Sequence, residues 1–213
     1  ILVTGVGGLA LTNDPDLYVT LRSLANHGRD SIYVSMDDDA GKSGQELKTV
    51  MERRFSFIRL GYSFRATEME AALGVAELEK KDEYITKRKA NAKLLTDGLS
   101  KYADALQLPK VMQGSEHVFM MYPIVVKKDA GIKRDDLTLF LEEMNIETRA
   151  MVPLINQPVY RKMFGDLEAV CPVSKWINDY GFYIGCHPFM KTVDIEYILR
   201  VFGAFFDSIS ARG

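Results

Sequence analysis

The sequence predicts a mixed α/β protein, and three observations carry that expectation. Residues 106–206 alternate strand-like and helix-like patterns, strand, helix, strand, helix, strand, helix, the order of an α/β or α+β body. Residues 67–108 contain no proline and carry a broken helical repeat of apolar side chains. A chain of 213 residues, 47% hydrophobic and 26% charged, has the composition of an ordinary globular protein that can bury a sizeable core.

At the start, residues 1–4 lead into the glycine cluster Gly5, Val6, Gly7, Gly8, and residues 9–12 then read as a short strand. The cluster alone is compatible with a tight turn or with a phosphate cradle. Asp14 followed by Pro15 marks a helix start, because proline at the first helical position forfeits no hydrogen bond. Leu17, Leu21 and Leu24 continue that helix, which closes at Asn26-His27-Gly28. Residues 30–57 show little periodicity and read as a long surface loop. Its run Asp37-Asp38-Asp39 reads as a solvated tip, since no ligand spacing supports a cation site.

The G-Y-S-F-R stretch at 61–65 comes next, then Thr67 and Glu70 at the spacing of a capping box. Met69, Leu73, Ala76, Tyr84, Ala92, Leu95 and Leu99 follow at helical intervals. Were 67–99 one helix, it would run roughly 50 Å at 1.5 Å per residue, the length of a connector between two bodies. The expected boundary falls inside it, giving domains at 1–90 and 91–213. Ser63 and Arg65 stand just before a helix N-terminus, where anions are favoured. Beyond it lie a strand over 117–126 with Pro123 marking an edge or bulge, an amphipathic helix over 135–144 and a strand from 146. A loop over 152–158, a helix around Trp176, a strand at 182–185 and a closing helix over 193–206 complete the chain.

The totals exclude several classes. A net charge of -2 leaves no basic excess for general nucleic-acid binding. Cys171 and Cys186 are too few for a disulfide framework or a metal set and read as free thiols in a reducing cytoplasm. No run approaches the ~18 apolar residues of a membrane span, and no signal peptide is visible. The start at Ile1, without methionine and inside a pattern, suggests part of a longer chain.

Six stretches occur in a telling order: T-G-V-G-G-L-A-L-T-N-D at 4–14, L-R-S-L-A-N-H-G-R at 21–29, and G-Y-S-F-R-A-T-E-M-E-A-A-L-G at 61–74. A-E-L-E-K-K-D-E-Y-I-T-K-R-K-A-N at 76–91, P-L-I-N-Q-P-V-Y at 153–160 and I-G-C-H-P at 184–188 complete the set. Together they resemble the sugar aminotransferase family of pyridoxal-phosphate enzymes, the DegT/DnrJ/EryC1/StrS type. The resemblance implies the aspartate-aminotransferase fold, with the end of a large, mostly parallel-sheet domain followed by a small C-terminal domain. It implies pyridoxal 5'-phosphate as cofactor, a homodimer, and transfer of an amino group from an amino acid, usually glutamate, to a nucleotide-linked keto-sugar, as in lipopolysaccharide biosynthesis. Counting back from Gly8, it puts the cofactor-bearing lysine immediately before Ile1, so no catalytic residue of that kind is in this sequence. A fragment and a sequence cut at a chemically modified lysine both stay open.

The resemblance also assigns residues. Ser63 stands where the family usually has the asparagine of G-Y-N-x-R that reaches the cofactor phosphate of the neighbouring subunit, and a serine hydroxyl still donates, with shorter reach. Tyr62 and Arg65 join it as cofactor-side residues. Arg149, Asn156 (histidine in many relatives) and His187 are the substrate-side residues it implies. Each also has a structural reading: Ser63 as a turn serine, Arg65 as a brace to Glu68 or a partner carboxylate, His187 as a satisfied turn histidine. Val6 departs from the family's glutamate and removes a carboxylate near the cofactor. Two other readings stay open, a deoxysugar 3-dehydratase in which histidine replaces the lysine, and a catalytically inactive binding module.

Overall fold

In the chain's first half, side-chain caps mark where the first and third helices begin. The computed structural model describes residues 2–30, 39–151 and 154–211; these form two units, Leu2–Glu79 and Lys80–Gly213. Helix α1, Pro15–Ala25, starts where Asp14 Oδ1 accepts from the amides of Asp16 and Leu17 at 2.9 and 3.0 Å. It ends at Asn26, and His27 and Gly28 follow in the left-handed region at φ 62° and 78°.

Two expectations for this unit need correction. Residues 9–12 form no strand, and Leu9 and Leu11 lie 94% and 92% exposed. A strand needs a neighbour, and only isolated bridges, Asn26 to Ser63 and Arg29 to Phe57, occur among the described residues of Leu2–Glu79. The expected loop over 30–57 contains a helix, α2, Gly44–Arg53, which buries Val50. It is tied back to the α1 exit by Arg53, which donates to the buried Asp30 carboxylate from Nε at 2.9 Å and Nη2 at 2.5 Å. Asp37 and Asp38 lie outside the described residues; Asp39 pairs with Arg54.

The long connector is two helices. α3, Glu68–Glu79, begins with the expected box: Thr67 N donates to Glu70 Oε2 at 2.7 Å, and Glu70 N to Thr67 Oγ1 at 3.4 Å. α4, Lys81–Leu99, follows after a break at Lys80 and passes into a tight turn at Ser100–Tyr102.

The second unit is a four-stranded antiparallel sheet with its own core. Strands β1 (Leu106–Gln107), β2 (Met121–Val126), β3 (Thr148–Ala150) and β4 (Gly181–Gly185) lie in the order β1-β2-β4-β3. β2 alternates strictly, with Tyr122, Ile124 and Val126 buried. Pro123 lies opposite Tyr183, on a stretch that β1 does not reach, since β1 pairs only with Val125 and Val126. The strand is shorter than the 117–126 expected, because 117–120 belong to a turn described below.

Helix α5, Arg134–Glu143, contributes Leu137 and Leu141 to the core, and α4 contributes Leu95 and Leu99. Between β3 and β4 come a short turn at Leu154–Asn156, α6 (Pro158–Phe164) and α7 (Pro172–Tyr180), where the sequence suggested a loop and a single helix; Val152 and Pro153 lie outside the described residues. The closing helix α8, Thr192–Ser210, buries Ile195, Ile198, Val201, Phe202 and Phe205 at helical spacing. Inside this core Thr96 Oγ1 and the Tyr122 hydroxyl share a 2.7 Å hydrogen bond.

Candidate functional site

The G-Y-S-F-R stretch is positioned by main chain rather than by its own side chains. Tyr62 N donates to Leu24 O at 2.7 Å, His27 N to Tyr62 O at 2.8 Å, and Phe64 N to Ala25 O at 3.0 Å. The two backbones touch at a pair of glycines. A Cβ on Gly61 would lie 2.0 Å from Gly28 N, and one on Gly28 would lie 1.9 Å from Arg59 O. No side chain fits there. The Tyr62 and Phe64 rings then stack at 4.7 Å.

The glycine cluster and the 61–65 stretch line the same cleft. A cleft of about 760 Å³ is lined by Gly7, Gly8, Tyr62, Ser63, Arg65 and Glu70, among others. The Ser63 hydroxyl and the Arg65 guanidinium have no hydrogen-bond or ion-pair partner among the described residues, so Arg65 does not brace Glu68. Glu70 is committed to capping Thr67. An exposed guanidinium, a free hydroxyl and the first turn of α3 suit an anion such as a phosphate. Asn26, which sequence reasoning missed, bridges Ser63 through its main chain and has a buried Oδ1 with no partner. Its place at a helix end gave no sign of this.

The substrate-side residues lie in the other unit and do not converge. Arg149, on β3, is exposed, pairs with Glu147, and lines a cleft of about 690 Å³ with Asn145, Tyr183, Tyr197 and Arg200. Asn156, in the short turn, has a buried Oδ1 without a partner, an acceptor suited to a ligand's N–H or O–H. His187 follows β4; its carbonyl accepts from Asn91 Nδ2 at 2.8 Å, and its Nδ1 accepts from Phe189 N at 3.2 Å. Neither Asn156 nor His187 lines the Arg149 cleft.

Burial sets the electrostatics nearby. Desolvation pushes the Cys186 thiol up to about 11 and the Tyr122 phenol up to about 12, so both stay protonated at neutral pH. Cys186 Sγ lies 3.5 Å from Arg88 O, a packed thiol rather than a nucleophile. Among the described residues no group of three metal-ligating side chains occurs, and no helix is long and apolar enough to cross a membrane.

The fold is that of sugar aminotransferases and dehydratases that use pyridoxal phosphate. An aminotransferase from Psychrobacter cryohalolentis superposes with a TM-score of 0.75 at 20% identity, over 93% of this chain and 51% of that one. E. coli GDP-4-keto-6-deoxy-D-mannose-3-dehydratase with bound hydrated PLP gives 0.73 at 23% identity, over 90% and 48%. The chain belongs to the DegT/DnrJ/EryC1/StrS aminotransferase family, whose model matches residues 1–202. Among its relatives, the lipopolysaccharide biosynthesis protein RfbH of Salmonella typhimurium is 30% identical over 96% of this chain and 48% of its own length. GDP-perosamine synthase of Caulobacter vibrioides is 26% identical over 93% and 48%. dTDP-4-dehydro-2,6-dideoxy-D-glucose 3-dehydratase of Saccharopolyspora spinosa is 26% identical over 96% and 46%. The chain therefore spans about half the length of the curated relatives it matches. Pyridoxal phosphate, the expected cofactor, is supported by the family and by solved relatives that contain it.

Proposed function

We propose that the protein is a pyridoxal-phosphate-dependent aminotransferase that moves an amino group from an amino acid, glutamate in the first instance, to a nucleotide-linked keto-sugar of polysaccharide biosynthesis. The observation that carries this reading is the cleft in which unpaired Arg65 and Ser63 meet Gly7 and Gly8 beside the capped start of α3. Residues 1–90 serve as the end of the cofactor-binding domain and 91–213 as the small domain; a division into two bodies is supported by the two units of the chain, which part earlier, between Glu79 and Lys80. In a homodimer the 61–65 stretch serves the pocket of the twin subunit.

When bound, the cofactor supplies an aldehyde for the amine and a ring that accepts electrons. Arg65 offsets the phosphate charge, and Ser63 donates to a phosphate oxygen. The main-chain hydrogen bonds of Tyr62 and Phe64 to the end of α1 keep the stretch in one conformation. On the substrate side Asn156 Oδ1 accepts a donor of the sugar, Arg149 faces an anionic group once released from Glu147, and His187 donates from Nε2. A charge-assisted hydrogen bond contributes about 1.5–3 kcal/mol. Arg65→Ala in the full-length dimer is thus expected to weaken cofactor binding by about 10- to 100-fold, read from cofactor absorbance during dialysis. Wild-type protein that never binds the cofactor, or retention unchanged in Arg65→Ala, would sink this assignment.

A second reading, a 3-dehydratase, is favoured by the relatives that carry that activity in their names, one from Saccharopolyspora spinosa and one from E. coli. Borohydride separates the two. A lysine-linked cofactor becomes permanently attached to the full-length protein, whereas a histidine in that place leaves it removable.

A further inference from the structure

Two turns at one end of the C-terminal sheet repeat one local arrangement, His-x-Phe. Residues 117–119 precede β2 and residues 187–189 follow β4, and the ladder between these strands ends with Met121 opposite Gly185. Both turns therefore leave the same end of the sheet. In each, the imidazole Nδ1 accepts the backbone N–H two residues on, from Phe119 at 3.0 Å and from Phe189 at 3.2 Å. In each, the ring rests against that phenylalanine, at centroid distances of 4.4 and 5.0 Å.

A ring nitrogen that accepts a hydrogen bond does not hold the proton, so the neutral imidazole carries it on Nε2. Both histidines are exposed, and neither Nε2 has a partner among the described residues. One guanidinium anchors the pair. Arg88, 8% exposed, donates from Nη1 to Phe119 O and Met120 O at 3.1 Å each and to Cys186 O at 2.7 Å, while Asn91 holds His187 O. Phe119 sits at φ 53°, a left-handed conformation that costs a side-chain-bearing residue about 1–2 kcal/mol. Strain kept in the turn that presents His117 points to a use for that donor. The lysines alongside, Lys87 and Lys89, are already paired with Glu83 and Glu116, which leaves the two imidazoles as the unengaged donors of the turns.

We propose that His117 and His187 form a paired donor site for the phosphoryl oxygens of a nucleoside diphosphate. The inference rests on the proposed function for the source of that diphosphate, the nucleotide-linked sugar. His117 thereby becomes a second substrate-side histidine, and Arg88 and Asn91 are positioning residues that hold the two turns side by side.

The test is calorimetric titration of the full-length protein, with and without cofactor, using GDP, UDP and dTDP and, as controls, the corresponding nucleosides. His117→Ala and His187→Ala are each expected to weaken binding of the preferred diphosphate about fivefold, the worth of one neutral hydrogen bond, with nucleoside affinity unchanged and a small fall in melting temperature, because the Phe119 or Phe189 amide loses its acceptor. His117→Gln and His187→Gln keep a side-chain N–H donor and are expected to recover most of the loss, which a purely structural histidine would not show. Wild-type protein that binds none of the three diphosphates overturns the proposal. So do alanine variants of unchanged diphosphate affinity, or an equal loss for nucleoside and diphosphate. Because the cofactor-free titration stands alone, protein that binds diphosphate but never takes up cofactor would refute the aminotransferase reading and leave this site intact.

Discussion

The two units of this chain handle apolar surface in opposite ways. In Lys80–Gly213, leucines and phenylalanines from α4, α5 and α8 meet the buried side chains of β2 and β4 in one core, and Leu95, Leu99, Phe182 and Phe202 are completely buried. In Leu2–Glu79, Val50 is the one buried hydrophobic side chain among the described residues, while Leu9, Leu11, Leu60 and Phe64 stand 71% exposed or more. Helix α3 buries no residue at all, although Met69, Leu73, Val75 and Leu78 spread apolar surface along it. A helix apolar on several sides is one built to be covered. The difference teaches that the first unit draws its shape from hydrogen bonds, caps and glycine contacts, and the second from burial.

Substitutions can break or sharpen that contrast. The largest expected effect is in the second unit: Phe182→Ala or Phe202→Ala should cost about 3–5 kcal/mol in urea unfolding of the 213-residue chain. Leu9→Ala and Leu11→Ala should change it by less than about 0.5 kcal/mol. Equal losses in the two units would erase the distinction. Next comes Gly61→Ala, whose methyl group would collide with Gly28 N. It should cost about 2–3 kcal/mol and appear first as faster hydrogen exchange at the Tyr62 and Phe64 amides, which bond the end of α1.

A smaller effect is confined to alkaline solution. The folded state holds the Cys186 and Tyr122 protons up to about 11 and about 12, whereas the unfolded chain releases them near 9.0 and 10.0. The unfolded state thus binds fewer protons across this window, and stability falls as pH rises from about 9 through the folded values. Tyr122→Phe should flatten the upper part of that decline, read as the pH slope of the denaturant midpoint; an unchanged slope would mean that the phenol is not protected by burial. The smallest effect is expected for Ser63→Asn, a change within about 0.5 kcal/mol by the same midpoint.

Where the fold was legible, the signal was local chemistry. Asp14 with Pro15 announced α1, Thr67 with Glu70 announced α3, and the spacing of Ile195, Ile198, Phe202 and Phe205 announced α8. α2 was hidden because only Val50 of its turns is buried, too little to write a periodicity into ten residues. Residues 9–12 carried a strand's alternation without a strand to pair with, and pairing is decided elsewhere in a chain. The break at Lys80 has no proline or glycine to mark it. At the site, the 5–8 and 61–65 stretches could each be read, but not that both line one cleft. Arg88 gave no sign of its role, since nothing along α4 reveals that three carbonyls from distant turns end there.

The contact between Gly28 and Gly61 has a consequence for how such a protein diversifies. Its course is written in amides and carbonyls, so the side chains at 62, 63 and 65 are passengers on a track laid by others. Ser63→Asn is expected to leave the course of the backbone unchanged. A lineage holding these two glycines is free to vary the side chains at 62, 63 and 65 while the course of the stretch stays the same.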